Sequence, residues 1–207
     1  CIRDREYPVP NPEPIARLLH GLRADERLEI LHTDNGNPSI IAENLEPSEE
    51  ITKTLVETLS DGAVLSFGLE SADQAVHEAN WLNCDPNQLK TAIRLINKYG
   101  AERGNRGLPK LLPGLNFIAG LNGETSSTYQ QNLSLLRDIR SEDLLLRRIN
   151  IRQVEGSGFQ EIVERDFAKF KQSVRDEIDA PLLEDLFPKG EILREIRWES
   201  HNGRTRL

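Results

Sequence analysis

Residues 111–129, LLPGLNFIAGLNGETSSTY, constrain the fold more than any other part of the chain. Alternation places Leu115 and Phe117 on one face of a strand and Asn116 on the other, and both faces contain apolar residues, as in a strand inside a sheet. The strand ends at glycines, and Ser126 is a suitable N-cap for the helix that follows at once. Because such a junction brings backbone amides close to a ligand, the segment is typical of a cofactor-binding turn.

Composition limits the class of protein. The chain has 207 residues, 37% hydrophobic and 29% charged, which is typical of one domain with a sizeable core. A net charge of -8 argues against a chain built mainly around nucleic acid. No apolar run could span a bilayer and no leader is visible, so we expect a cytoplasmic protein without membrane contact. Cys1 and Cys84 give no disulfide framework or zinc-ligand pair.

The chain contains no methionine, and it begins with Cys1 and a proline-rich segment. We therefore expect a fragment of a longer protein.

Helical and strand signals alternate along the chain. The helices have apolar residues three or four positions apart and begin at capping residues, while the strands are short apolar runs. We predict helices from residue 12, from about residue 48, over residues 73–80 and 85–100, after residue 124 and around Phe167, and strands over residues 28–33, 63–69, 111–121 and 145–154.

This alternation predicts an α/β fold with parallel strands, either a doubly wound sheet or a β/α barrel. Two strands have one apolar and one polar face, with Ser66, Glu70 and Arg148 among the polar residues, which favours a barrel covered by helices only outside. We predict a partial barrel over residues 1–180, incomplete at its N-terminal end. Residues 181–207 contain an Asn-Gly hairpin signal and predict the start of a small β-rich C-terminal domain.

In a β/α barrel the functional groups gather where the strands end. Arginine matches carboxylates, and glutamate accepts hydrogen bonds from hydroxyl or ammonium groups, so these positions suit a ligand with such groups. The candidates are His32, Asp34, Asn35, Glu70, Ser71, Asn116, Asn122, Glu124, Arg148, Asn150, Arg152 and Gln153.

Each candidate also has a structural explanation. Glu70 and Arg148 could form an ion pair across the lumen, and His32 could be a hydrogen-bonded packing residue. Glu124 could only complement the dipole of the following helix.

Several segments resemble radical S-adenosylmethionine enzymes, in the branch of methylthiotransferases and related iron-sulfur oxidoreductases. They are SFGLESADQAVHEAN (residues 66–80) and PGLNFIAGLNGETSSTYQQNLSLL (residues 113–136). LHTDNGNP (residues 31–38) and LLLRRINIRQV (residues 144–154) are similar to an uncharacterised, mainly archaeal group with a C-terminal helix-hairpin-helix region. The resemblance covers roughly residues 10–154.

The resemblance implies a partial six-stranded β/α barrel of the TIM-barrel-like type, with S-adenosylmethionine and a 4Fe-4S cluster at the strand ends. Matching positions give the cofactor-binding residues Glu70, Ser71, Asn116, Ile118, Gly120, Asn150, Arg152 and Gln153. Asn116 replaces a family glycine, and Glu124 lies one residue later than the family glutamate. For substrate or for the cofactor carboxylate we expect His32, Asp34, Asn35 and Arg148.

The family's CxxxCxxC motif does not occur in this chain, and iron-sulfur clusters are held mainly by cysteine thiolates. We therefore expect no metal ligands here and no activity of the fragment alone. In the full-length enzyme, the resemblance implies that an electron donor and the cluster cleave S-adenosylmethionine reductively. The resulting 5′-deoxyadenosyl radical would act on an unknown substrate, for which nucleic acid is a candidate.

Two other functions compete with this prediction. The basic residues Arg103, Arg106 and Lys110 would suit a non-catalytic nucleic-acid-binding module. The helix start at residues 123–126 would suit a β/α-barrel enzyme that binds a phosphate ligand.

Overall fold

The computed structural model describes residues 9–154, 156, 164–195, 199–201 and 204–206. Its centre is a four-stranded parallel sheet of β1 (Asn35–Gly36), β2 (Ala63–Glu70), β3 (Leu111–Ala119) and β4 (Arg148–Gln153) in the order β1-β2-β3-β4. Parallel strands joined through helices confirm the predicted α/β class.

Helices connect and flank these strands. Proline follows the N-cap asparagine or aspartate of α1, α2 and α5, and its fixed φ suits the first helical turn. The helices are α1 (Pro12–Arg23), α2 (Pro38–Glu43), α3 (Leu45–Thr58), α4 (Gln74–Asn80), α5 (Pro86–Gly100), α6 (Ser126–Ser141), α7 (Glu164–Val174) and α8 (Ala180–Leu186), with a π-helical turn at Arg175–Asp179 before α8.

The core lies on one face of the sheet. Phe67 and Phe117 are almost fully buried there against side chains of α5, α6 and α7. Phe117 contacts the ring of Phe170 of α7 edge to face. Tyr129 of α6 stacks on the Phe170 ring, with 5.6 Å between the two ring centroids. Among the described residues, the opposite face of the sheet carries the polar side chains and leaves a cleft open.

The predicted strand over residues 28–33 is wrong. Leu31 is tied to the turn before β2, because its carbonyl accepts from the amide of Ser60 and its amide donates to the Ser60 hydroxyl. Pairing with β2 begins only where the amide of Ser66 donates to the carbonyl of Asp34. The ladder is therefore limited to Asn35–Gly36.

At the C-terminal end, β5 (Glu199–His201) and β6 (Arg204–Arg206) pair antiparallel, as the hairpin signal predicts. Residues 191–194 form no strand, and the predicted turn at residues 202–203 lies outside the described residues. The predicted boundary at residue 180 falls at the start of α8, which packs into the core through Leu182. Whether residues 181–207 form a separate domain stays a prediction.

Within the described ranges, no helix is long and apolar enough to cross a membrane.

Candidate functional site

A polar cleft of about 300 Å³ lies on the open face of the sheet. All four strands contribute to it, and the β-strand period of two explains why alternate residues line it. The lining residues are Asp34, Asn35, Ser66, Glu70, Asn116, Ile118, Arg148, Asn150 and Arg152.

Strand register arranges these residues in levels across the sheet. Ser66, Gly114 and Arg148 are in register and form the lower level. The next level contains the paired Asn116 and Asn150, whose side-chain amides are joined by a 2.8 Å hydrogen bond. Residues 118 and 152 are paired at the upper level, at the carboxyl ends of the strands. The sheet thus displays two arginines separated by an amide pair.

The side chain of Arg148 crosses the sheet at the lower level. Its Nη2 donates to the buried hydroxyl of Ser66 at 3.0 Å, over the position of Gly114. A Cβ atom at Gly114 would lie 3.2 Å from Ser66 Oγ and 3.4 Å from Arg148 Cγ. The glycine therefore leaves the space in which the arginine reaches the hydroxyl.

Glu70 occupies the end of β2 in a special backbone conformation. A β-bulge between Gly68 and Glu70 shifts the register with β3, and Glu70 has a φ of 70°. Its side chain folds over Gly68, where a Cβ would lie 2.5 Å from Glu70 Oε1. The bulge thus aims a carboxylate into the cleft.

The carboxylate of Glu70 is only partly compensated. Its Oε2 is buried and has no hydrogen-bond partner among the described residues. Burial raises the pKa of Glu70, and the positive charge of Arg152 opposes the shift. An ion pair with Arg148, one of the structural explanations offered by the sequence, does not form. A buried, unsatisfied carboxylate oxygen is a group that a ligand donor can satisfy.

The structure brings together two thirds of the residues predicted for cofactor or substrate. Those that line the cleft are Glu70, Asn116, Ile118, Asn150 and Arg152 from the cofactor set, and Asp34, Asn35 and Arg148 from the substrate set. Those that do not are Ser71, Gly120, Gln153 and His32.

The turns after β2 and β3 explain two of these exceptions. The hydroxyl of Ser71 is buried and shared between the amide of Asp73 and the side chain of Asn132. The amide of Gly120 donates to the carboxylate of Glu124. These groups hold the turns in place beside the cleft.

His32 lies with the residues that precede β1, near the turn that leads into β2. Its pKa is lowered by burial and by the nearby positive charge of Arg106, which belongs to the loop at the opposite ends of the strands from Glu70. Gln153 pairs with Ala119 beyond the cleft.

Ser66 is a cleft residue that the sequence prediction did not select. Its place on the polar face of β2 is visible from the alternation of residues 63–69, but it lies in the middle of the strand. Its role depends on Arg148, which is 82 residues away in the sequence and reaches it only through strand pairing.

A metal site is not formed within the described residues, where no group of three His, Cys, Asp or Glu side chains is suitably placed. Burial, together with the negative charge of Asp85, raises the pKa of the Cys84 thiol to about 12. This thiol is therefore protonated at neutral pH and packs in the core.

Local contacts argue against both competing predictions, a nucleic-acid-binding basic loop and a phosphate site at the start of α6. Arg103 donates to the carbonyls of Gly107 and Leu186, and Arg106 pairs with Glu195, so the basic loop is engaged within the chain. At the start of α6, the buried carboxylate of Glu124 accepts the amide N–H of Gly120, so this donor of the turn is not available to a phosphate ligand.

Comparison with known proteins finds two archaeal relatives. The chain is 40% identical over 201 residues to "Uncharacterized protein MJ0274" of Methanocaldococcus jannaschii, covering 92% of the chain and 37% of that protein. It is 40% identical over 203 residues to an uncharacterised protein of Archaeoglobus fulgidus, covering 93% of the chain and 38% of the relative. The chain thus spans less than two fifths of the length of each relative. No family model matches the chain.

Proposed function

We propose that the polar cleft binds S-adenosylmethionine, and that the chain is part of a partial β/α barrel in a longer radical S-adenosylmethionine iron-sulfur oxidoreductase. The sheet supports this proposal because consecutive strands are adjacent and its core-forming helices pack on one face. A doubly wound sheet reverses its strand order and has helices on both faces. The open polar face corresponds to the inner surface of a barrel.

The observation that carries the proposal is the carboxylate of Glu70 at the end of β2. One of its oxygens is buried without a hydrogen-bond partner among the described residues, and Arg152 and Asn150 line the same cleft. A carboxylate accepts hydrogen bonds from ribose hydroxyls or an ammonium group, while a guanidinium binds a carboxylate. S-adenosylmethionine carries all three of these groups.

The residues fit the nucleoside ligand better than they fit the cluster. Within the described ranges no side-chain group could hold a metal, so the cluster's cysteines would have to belong to another part of the longer protein. When bound, the cluster supplies the electron for reductive cleavage of S-adenosylmethionine.

The chain itself would position the cofactor. Glu70 would hold hydroxyl or ammonium groups and Arg152 the carboxylate, while Ile118 would pack against an apolar surface of the ligand. The hydrogen-bonded pair of Asn116 and Asn150 keeps the middle of the cleft rigid. Such preorganised contacts fix the reacting bond and keep water away from it.

Equilibrium binding to the full-length protein tests the assignment. Isothermal titration with S-adenosylmethionine should show one saturable site, and Glu70→Gln should weaken binding about tenfold or more because one charged hydrogen-bond acceptor is lost. Glu78→Gln is a matched control, since Glu78 is an exposed carboxylate on α4 outside the cleft. It should bind as the unaltered protein does. No saturable binding, or equal binding by both variants, would contradict the proposal.

A further inference from the structure

The lower level of the cleft contains a cation that has no carboxylate partner among the described residues. Some of the other described arginines form ion pairs, such as Arg94 with Glu142 and Arg137 with Glu177, each at 2.5 Å. Arg148 has no carboxylate within 4.0 Å among the described residues, although the chain has more acidic than basic groups. Its positive charge is therefore available at the floor of the cleft.

The guanidinium is held in place by a neutral group. One N–H of Arg148 donates to the hydroxyl of Ser66, which is 2% exposed and fixed on a central strand. A guanidinium has five N–H donors in a planar fork, so most of them stay available for a ligand. An orienting hydroxyl leaves the full charge of the arginine in place, whereas a carboxylate would neutralise it.

The acidic groups of the cleft do not cancel this charge. Glu70 lies at the end of β2 with its carboxylate over Gly68, which is in register with the level of the amide pair, and Arg152 rather than Arg148 is the arginine that affects its pKa. Asp34 lines the cleft from the approach to β1 but makes no ion pair within the described residues. The side-chain amides of Asn116 and Asn150 separate the two levels and are neutral. The lower level thus displays a guanidinium that forms no ion pair with a described residue, beneath the proposed cofactor position.

We infer that Arg148, oriented by Ser66, binds an anionic group of the substrate, either a carboxylate or a phosphate. A guanidinium held in one orientation can donate two parallel hydrogen bonds to a carboxylate or a phosphate. The inference rests on the proposed function for the assignment of the upper level to S-adenosylmethionine. It specifies the substrate class as an anion that enters the cleft with its charged end toward β2 and β4.

Calorimetric titration of the full-length protein with succinate and with inorganic phosphate tests this inference. At least one probe should bind saturably, and Arg148→Gln should weaken its binding about tenfold or more. Arg147→Gln removes the same charge one residue earlier, where the side chain lies against the Phe187 ring, and should bind as the unaltered protein does. Arg148→Lys, which keeps the charge without the fork, should fall between the two. Preference for phosphate over succinate would identify a phosphorylated substrate, and the reverse preference a carboxylic acid.

S-adenosylmethionine binding, measured on the same variants, separates this inference from the proposed function. Arg148→Gln should leave it unchanged, and Glu70→Gln should weaken it while anion binding persists. The inference is overturned if neither probe binds saturably or if Arg148→Gln binds the probe normally. It is also overturned if Arg148→Gln weakens S-adenosylmethionine binding as strongly as Glu70→Gln does, because the arginine would then bind the cofactor carboxylate. If the unaltered protein binds an anion at Arg148 but does not bind S-adenosylmethionine, only the proposed function is overturned.

Discussion

Glu70 combines several features that are unusual for a residue at the end of a strand. It has a positive φ, follows a bulge and folds over Gly68, and one carboxylate oxygen is buried without a hydrogen bond to any described residue. Each of these features is unfavourable in a folded chain. They are understandable if a ligand completes the environment of the carboxylate.

The raised pKa of Glu70 predicts how stability changes with pH. Because the folded state holds the proton more tightly than the unfolded state does, the ionised form costs stability. This loss begins as pH rises through the unfolded value of about 4.5 and is complete above the folded pKa. Glu70→Gln cannot ionise, so its free energy of unfolding should rise relative to that of the unaltered protein between about pH 4 and pH 8. Urea unfolding at both pH values measures the difference.

A difference that is constant with pH, or that favours the unaltered protein at high pH, would show that Glu70 is already compensated in the folded chain.

The strands and helices differ in how well the sequence predicts them. The helices α1 and α5 begin at the residues expected, because Asn11 and Asp85 accept hydrogen bonds as N-caps and each is followed by proline. The same signal, Asn37 followed by Pro38, starts α2, but the prediction did not use it. Alternation also predicts β2 and β3, where one face is buried in the core.

Other features depend on contacts that no local pattern contains. Residues 28–33 contain the apolar residues of a short strand, but Leu31 bonds instead to Ser60 in the turn before β2. The bulge before Glu70 and the reach of Arg148 to Ser66 follow from the register of strands distant in sequence. The sequence could therefore indicate which residues face the cleft, but not which of them form hydrogen bonds or ion pairs with one another.

Helix α5 packs closely against β3 at Gly100, and this contact predicts how a substitution there changes the free energy of unfolding. A Cβ at Gly100 would lie 2.0 Å from the backbone oxygen of Leu111, and backbone cannot move aside cheaply. Gly100→Ala should lower the free energy of unfolding by at least about 2 kcal/mol. Gly21, in α1, has no atom within 4 Å of its added Cβ, so Gly21→Ala should raise it by up to about 1 kcal/mol. Urea denaturation of both variants measures the two changes.

If Gly100→Ala were as stable as the unaltered protein, the close approach of α5 to β3 would be incorrect.

At the scale of the whole molecule, four parallel strands in sequential order form a sheet with a helical core on one face and a polar cleft on the other. The relatives are more than twice as long as this chain. Under the proposed function, the described residues would position the cofactor, and another part of a longer protein would hold the metal cluster.

The most direct measurement of the central claim is formation of 5′-deoxyadenosine by the full-length protein. The protein would be purified without oxygen, reconstituted with iron and sulfide, and incubated with S-adenosylmethionine and a strong reductant. The proposed function predicts 5′-deoxyadenosine formation by the unaltered protein and by Glu78→Gln, and a yield at least about tenfold lower from Glu70→Gln at subsaturating S-adenosylmethionine. A protein that carries an intact 4Fe-4S cluster yet forms no 5′-deoxyadenosine, or forms it equally with Glu70→Gln, would contradict the account.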